Sequence, residues 1–203
     1  MVEEKKLKGN FDSAWIHKLE SEDHWRLYWQ QQKLMEGFVK PGDDVLEIGV
    51  GTGFTANYLK SRGVHVTTLD IDADKQPDIV ASVVDYEWPD RYKAILAFQV
   101  FEYIPFEYFK KTLTKLQKQC EYLFFSVPVN EKALLRLSFK LAGVNKAKSL
   151  EVTIPKNKIT SKHHFWEIGQ GCGDMDAVLQ EHGFEIKRKV KKLSRMFYGL
   201  ETA

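Results

Sequence analysis

Three glycines at alternate positions, Gly49, Gly51 and Gly53, follow the short apolar run of Val45, Leu46 and Ile48, and the carboxylate of Glu47 stands two residues before the first of them. A buried strand that ends in such a turn lets the backbone pass close to a ligand. The spacing argues against a dinucleotide, because the fingerprint Gly-x-Gly-x-x-Gly needs a glycine where this chain has Phe54. Glu47 would also repel a pyrophosphate, whereas it would attract an ammonium group. Asp70 lies about twenty residues beyond the first glycine, at the end of a second β-branched run, where a carboxylate can accept hydrogen bonds from both hydroxyls of a ribose.

These residues need particular elements to hold them. Val45–Ile48 reads as a buried parallel strand and Phe54–Ser61 as a helix stopped by Gly63. Val64–Leu69 reads as the next strand. The result is one strand–helix–strand crossover with an acid at the end of each strand. An ammonium and a ribose without phosphate describe S-adenosylmethionine better than NAD.

Further along, Asp85 occurs in Ser-Val-Val-Asp-Tyr, Gln99 opens Gln-Val-Phe-Glu-Tyr-Ile-Pro, and Phe124–Pro128 reads Phe-Phe-Ser-Val-Pro. With the glycine turn, these stretches resemble the class I S-adenosylmethionine-dependent methyltransferases of the broad methyltransferase-11-like kind, well over Lys40–Pro128 and more loosely over Gly183–Leu200. The resemblance implies an α/β fold: a Rossmann-like three-layer sandwich whose seven-stranded sheet is mostly parallel and closes with an antiparallel strand pair. It implies S-adenosylmethionine as cofactor, held by Glu47, Gly49, Gly51, Gly53, Asp70, Ile71, Asp85, Tyr86 and Gln99, with Asp85 reading the adenine amino group. The chain departs from the family pattern at Gln99, usually an acid, and at Tyr103, usually a histidine.

Around that unit the chain divides into an N-terminal helical arm, residues 1–40, and a domain over residues 41–203. Trp15, Leu19, Trp25, Tyr28, Trp29, Leu34, Met35 and Phe38 recur along the arm at helical spacing. They serve either to cover the core or, as aromatic faces attractive to a sulfonium, to roof the cofactor; Tyr28 and Trp29 are the candidates for the second role. Beyond Asp70 the connections to the strands at Ile79–Ala81 and Tyr92–Phe98 are too short for full crossover helices, so single turns are expected. Pro105–Gln119 reads as an amphipathic helix and Tyr122–Val127 as the fifth strand. The last elements are a helix over Asp174–His182 and a strand pair over Phe184–Val190 and Met196–Leu200.

The segment 130–167 is longer than an α/β connection requires and is expected to be a substrate lid. It opens with an amphipathic stretch, Glu131–Ala142, expected to present an apolar helix face, and closes with His163-His164-Phe165-Trp166-Glu167. Methyl transfer needs alignment of the nucleophile and exclusion of water, and a base only where the acceptor carries a proton. His163 and His164 are the catalytic candidates, with Glu167 as orienter; adjacent residues on an extended segment point to opposite sides, so at most one of the two should face the pocket.

The remaining features narrow the function classes. A chain of 203 residues, 43% of them hydrophobic, suits one domain with a buried core. Net charge is only +2, so no overall field demands nucleic acid or an acidic membrane, and Lys187–Lys192 alternates along an edge strand. Cys120 and Cys172 make no disulfide framework, no long apolar run is present, and a reducing cytoplasm is the expected setting. No metal-ligand spacing occurs among the histidines and cysteines. A small-molecule acceptor is the leading expectation. The alternatives are an RNA or protein methyltransferase, against which the missing Asn-Pro-Pro-Tyr tetrapeptide speaks, and a non-catalytic cofactor-binding regulator.

Overall fold

The computed structural model describes residues 21–139, 148–155 and 158–203. The expectations for Trp15 and Leu19 in the arm, and for the far end of the amphipathic stretch in the insertion, lie outside them. In chain order the elements are α1 Glu22–Met35, β1 Asp44–Ile48, α2 Phe54–Ser61, β2 His65–Asp70, β3 Ile79–Val80, β4 Tyr92–Phe98, α3 Phe106–Gln119, β5 Cys120–Pro128, β6 Glu131–Phe139, β7 Lys148–Pro155, α4 Met175–Glu181, β8 Phe184–Lys192 and β9 Arg195–Thr202.

Seven strands form one sheet in the order β3-β2-β1-β4-β5-β9-β8. The pairs among β1 to β5 are parallel and β9 runs antiparallel to both β5 and β8. Two-residue alternation splits the strands between two cores. Leu46, Ile48, Ile95, Leu123 and Phe125 face α3 and α4 through Phe109, Leu113 and Leu179. Val45, Ala94, Leu96 and Phe124 face the other way, onto α1 and α2 through Leu27, Leu34, Met35, Ala56 and Leu59. This is the expected three-layer arrangement, with the N-terminal arm forming part of one outer layer.

The short crossovers are single turns. A 3₁₀ turn over Ala73–Lys75 links β2 to β3, with Asp72 accepting a hydrogen bond from the N–H of Asp74 at 3.1 Å. After β3 the chain turns once, as the N–H groups of Asp85 and Tyr86 both donate to the carbonyl of Ser82, at 3.1 and 2.9 Å.

The C-terminal end of α1 is closed from a distant strand. The Arg188 guanidinium, on β8, donates to the carbonyls of Lys33 and Leu34 at 2.9 Å each, and lies 4.6 Å from the centre of the Phe38 ring. Orphan carbonyls at a helix end need such donors. Three lysines of β8 are also paired: Lys187 with Glu185 and Glu201, Lys189 with Asp176, and Lys191 with Glu131. The lysine edge is solvated as expected, β8 being the last strand of the sheet with its lysines exposed, and these surface ion pairs lace it.

The insertion corrects the expectation of a helical face. Glu131–Phe139 is a strand, β6, paired antiparallel with β7 as a separate two-stranded ribbon with an irregularity between Ala133 and Leu135. The physical reason is visible in the period: Leu135, Leu137 and Phe139 alternate with Arg136 and Ser138, and β7 repeats the alternation with Leu150, Val152 and Ile154. The ends of the insertion are stitched together where Asn130 N–H donates to the Ile168 carbonyl at 2.8 Å and Ile168 N–H donates to that of Pro128 at 2.9 Å.

Candidate active site

A cavity of about 700 Å³ opens at the carboxyl ends of β1, β2 and β4, where the strand order reverses between β1 and β4. Its floor is the glycine turn. Gly49 has φ +79° and donates to the Leu69 carbonyl at 2.7 Å, and a Cβ there would sit 2.5 Å from Cγ2 of Val100. Only glycine fits that approach between the β1 and β4 loops. Gly51 has φ +56° with open space around it, on the cavity side. Gly53, φ +74°, sits behind the wall as the N-cap of α2.

Two carboxylates end the first two strands. Glu47 is 5% exposed and lines the cavity, and its Oε2 has no hydrogen-bond partner. Burial pushes its carboxyl up to about 8, while the Ala56 N–H and the charge of Lys60 pull the other way. Without a cationic partner it holds its proton at neutral pH. Asp70 is organised by the backbone: Oδ2 accepts from Val50 N–H and Oδ1 from Asp72 N–H, both at 2.9 Å, with the Lys75 ammonium 3.3 Å from Oδ2. The second strand end is thus tied directly to the glycine turn.

The arm roofs this end through Tyr28, which lines the cavity, while Trp29 is 62% exposed. The Tyr28 ring stacks on Phe54 with centroids 4.4 Å apart, and its hydroxyl lies 2.9 Å from Oγ1 of Thr52. Phe54, which stands where a dinucleotide fold has glycine, is the seat for the arm; Trp25 packs edge-on against the same ring. Gln31 from α1 also reaches the cavity, accepting from Thr55 Oγ1 at 2.8 Å.

The cavity therefore gathers Glu47, Gly49, Gly51, Asp70, Ile71, Gln99 and Tyr28. It does not gather the other five: Gly53 behind the wall, Asp85, Tyr86, His163 and His164. Asp85 is exposed and Tyr86 packs edge-on against Trp88, because the turn after β3 carries both away; Ser82 and Val83 line that side instead. His163 points to solvent, and His164 stands behind the wall.

His164 meets the wall through Tyr103, whose ring lines the cavity beside Gln99, itself in the left-handed region with φ 60°. The His164 and Tyr103 rings are perpendicular, with centroids 5.3 Å apart. On its other side Nδ1 of His164 is 2.9 Å from Oε1 of Glu167. Glu167 is fully buried and also accepts from Thr160 N–H at 2.9 Å, from Thr160 Oγ1, and from Asn130 Nδ2 at 2.6 Å. Burial pushes the Glu167 carboxyl up; the hydrogen bonds from Thr160, His164 and Asn130 outweigh it and hold the group below the ordinary carboxylate range. Nearby, the buried Glu102 pairs with Arg195, which also donates to the Ser126 carbonyl at 3.2 Å.

Sequence reading missed Thr52, Thr55, Gln31, Lys75 and Tyr103. Only Tyr103 carried a signal, as the residue replacing a histidine in a motif that resembles a family pattern.

A family model described as a methyltransferase domain matches residues 23–186. The chain belongs to that methyltransferase family. As a member it is an S-adenosylmethionine-dependent methyltransferase. The methyltransferase resembles, at the level of fold, magnesium protoporphyrin IX methyltransferase from Synechocystis PCC 6803 with bound S-adenosylmethionine: TM-score 0.65, 14% identity, covering 98% of this chain and 94% of that one. It is also similar to the N-methyltransferase NodS from Bradyrhizobium japonicum WM9 with S-adenosylhomocysteine, at TM-score 0.63 and 11% identity over 98% and 95% of the two chains. The glycopeptide N-methyltransferase MtfA with the same product gives TM-score 0.59 and 11% identity over 89% and 90%. No curated protein sequence matches the methyltransferase closely. Among the described residues no helix is long and apolar enough to cross a membrane, and no group of three side chains is placed to hold a metal.

Proposed function

We propose that this methyltransferase acts on a nitrogen, oxygen or sulfur atom of a small molecule that enters beside Gln99 and Tyr103. The observation that carries the cofactor side is the unpartnered, buried Glu47 oxygen in a glycine-floored cavity. A group with an ammonium fits there. On this reading Glu47 faces the ammonium, Asp70 the ribose hydroxyls, and Tyr28 roofs the cavity. S-adenosylmethionine, when bound, supplies a methyl group on a sulfonium. The residues of the chain bind it, exclude water and orient the acceptor. Where the acceptor atom carries a proton, that proton leaves to solvent as the atom bonds the methyl carbon released from sulfur; His164, behind the wall, acts on the acceptor only through Tyr103.

Three features support a small acceptor. The cavity volume suits a cofactor with one compact partner. The cations Lys187, Arg188, Lys189 and Lys191 of β8 are engaged within the chain, which leaves that strand poorly suited to track phosphates. Two of the similar structures are named for the acceptors magnesium protoporphyrin IX and glycopeptide.

The test is label transfer. Protein incubated with methyl-labelled S-adenosylmethionine should place label in a panel of small amines, hydroxyl compounds and thiols, and His164→Gln should lower that transfer while His163→Gln does not. Label that appears in RNA or protein fractions alone would overturn the small-molecule reading. Calorimetric titration should show S-adenosylhomocysteine binding and no tighter binding of NAD.

A further inference from the structure

Among the described residues, three clusters away from the glycine turn hold titratable groups withdrawn from solvent: buried Glu102 with Arg195, half-buried Cys172 beside the Glu167 carbonyl, and the Glu167 node with His164. The first joins two backbone segments and the second is a single thiol. The third differs because it runs from the root of the inserted ribbon to the cavity wall.

Glu167 sits outside the cavity, at the base of the insertion. Thr160 and Asn130, from the two ends of that insertion, donate three hydrogen bonds to it: Oε1 accepts from the Thr160 N–H and Oγ1, and Oε2 from Asn130 Nδ2. Nδ1 of His164, on the side of Tyr103, is the third group on Oε1, at 2.9 Å. An ionised carboxylate with that set of donors only accepts, so Nδ1 must carry the proton and, in the neutral ring, Nε2 is bare. The perpendicular contact then fixes His164 against Tyr103, which is the member of this node that lines the cavity.

We infer that Glu167 is a positioning residue: from the root of the inserted ribbon it locks His164 with its Nδ1 proton toward the carboxylate, and through His164 it sets the wall that Tyr103 presents to the acceptor. The inference rests on the proposed reading of that end as the acceptor side. Asn130 and Thr160 act by holding the carboxylate in place. No residue of this node other than Tyr103 meets a ligand.

Imidazole nitrogen spectra of the full-length, histidine-labelled protein test this, with His164 assigned by the resonance lost in His164→Gln. The wild type should show His164 as a single Nδ1–H tautomer, and Glu167→Gln should convert it to an averaged mixture. S-adenosylhomocysteine should shift the His164 resonances although His164 does not line the cavity, leave His163 in place, and lose that effect on His164 in Tyr103→Leu. A structural clip would give the tautomer without the ligand-dependent shift. An unshifted His164 in the saturated wild type, or an unchanged tautomer in Glu167→Gln, overturns the inference. If Glu167→Gln does not fold, the wild-type tautomer and Asn130→Ala decide in its place. If S-adenosylhomocysteine does not bind the wild type, the reading of the cofactor end fails, and the tautomer measurements judge the Glu167 lock separately.

Discussion

The two ends of the cavity are built by opposite means. At the glycine-turn end, one contiguous stretch from Glu47 to Phe54 and a second from Asp70 to Lys75 supply most of the lining, and backbone amides hold it in place, as in the grip of Val50 and Asp72 on Asp70. At the other end Tyr103 depends on His164, 61 positions away, which depends on Glu167, Thr160 and Asn130; Glu102 depends on Arg195, 93 positions away. A local, backbone-made site tolerates change elsewhere in the chain. A site assembled from side chains of distant segments is exposed to the loss of any one of them.

The largest effect should come from breaking the assembled end. Arg195→Met leaves the Glu102 carboxylate buried without its partner, and removing one member of a buried pair costs about 3–5 kcal/mol. For a chain of this size that lowers the unfolding temperature on the order of 10 °C. Scanning calorimetry measures it, and S-adenosylhomocysteine affinity below the transition should stay near wild type. A loss of affinity as large as the loss of stability would show that the two ends are not separable.

Next comes the floor of the local end. Gly49→Ala combines a left-handed backbone with a Cβ driven into Val100, about 2–4 kcal/mol in all, whereas Gly51→Ala meets open space and should cost about 1–2 kcal/mol. Chemical denaturation of the pair checks the difference; equal losses would remove Val100 from the explanation.

Asp70→Ala should weaken S-adenosylhomocysteine binding tenfold or more, since charge-assisted hydrogen bonds to hydroxyls are worth about 1.5–3 kcal/mol. Calorimetric titration at fixed salt decides it. An unchanged dissociation constant with normal folding would take Asp70 out of the site.

Last comes a pH slope, the smallest effect when taken per unit of pH. Burial pushes the Glu47 carboxyl from its ordinary 4.5 up to about 8 in the folded protein, so the unfolded chain gives up this proton first as pH rises. Glu47's contribution to stability is therefore fully present below pH 4.5 and falls as pH rises from there to about 8. Glu47→Gln should remove that slope. Binding of a ligand with an ammonium should release one proton over the same range, so that affinity rises with pH by at most about tenfold per unit. Titrations in buffers of different ionisation heat count the proton, and a count of zero would separate Glu47 from the ammonium.

What could be read from the sequence follows the same division. The crossover from β1 to β2 was legible because its signals are local: an apolar run, glycines forced by backbone geometry, an acid at each strand end, and Phe54 excluding a dinucleotide. Short crossovers and the closing strand pair were legible for the same reason, being consequences of length and alternation. Asp85 was not, since motif position does not say which way a one-turn connection swings a side chain. The ribbon Glu131–Phe139 was misread because a run rich in leucine satisfies both the helical and the two-residue period, and only pairing with Lys148–Pro155 chooses between them. Tertiary structure alone decided that His164 and not His163 turns inward, and that Tyr103 stands between it and the cavity. It also decided that Arg188 closes a helix 154 positions earlier. Each of these is a contact between side chains brought together by the sheet, and no spacing along the chain encodes it.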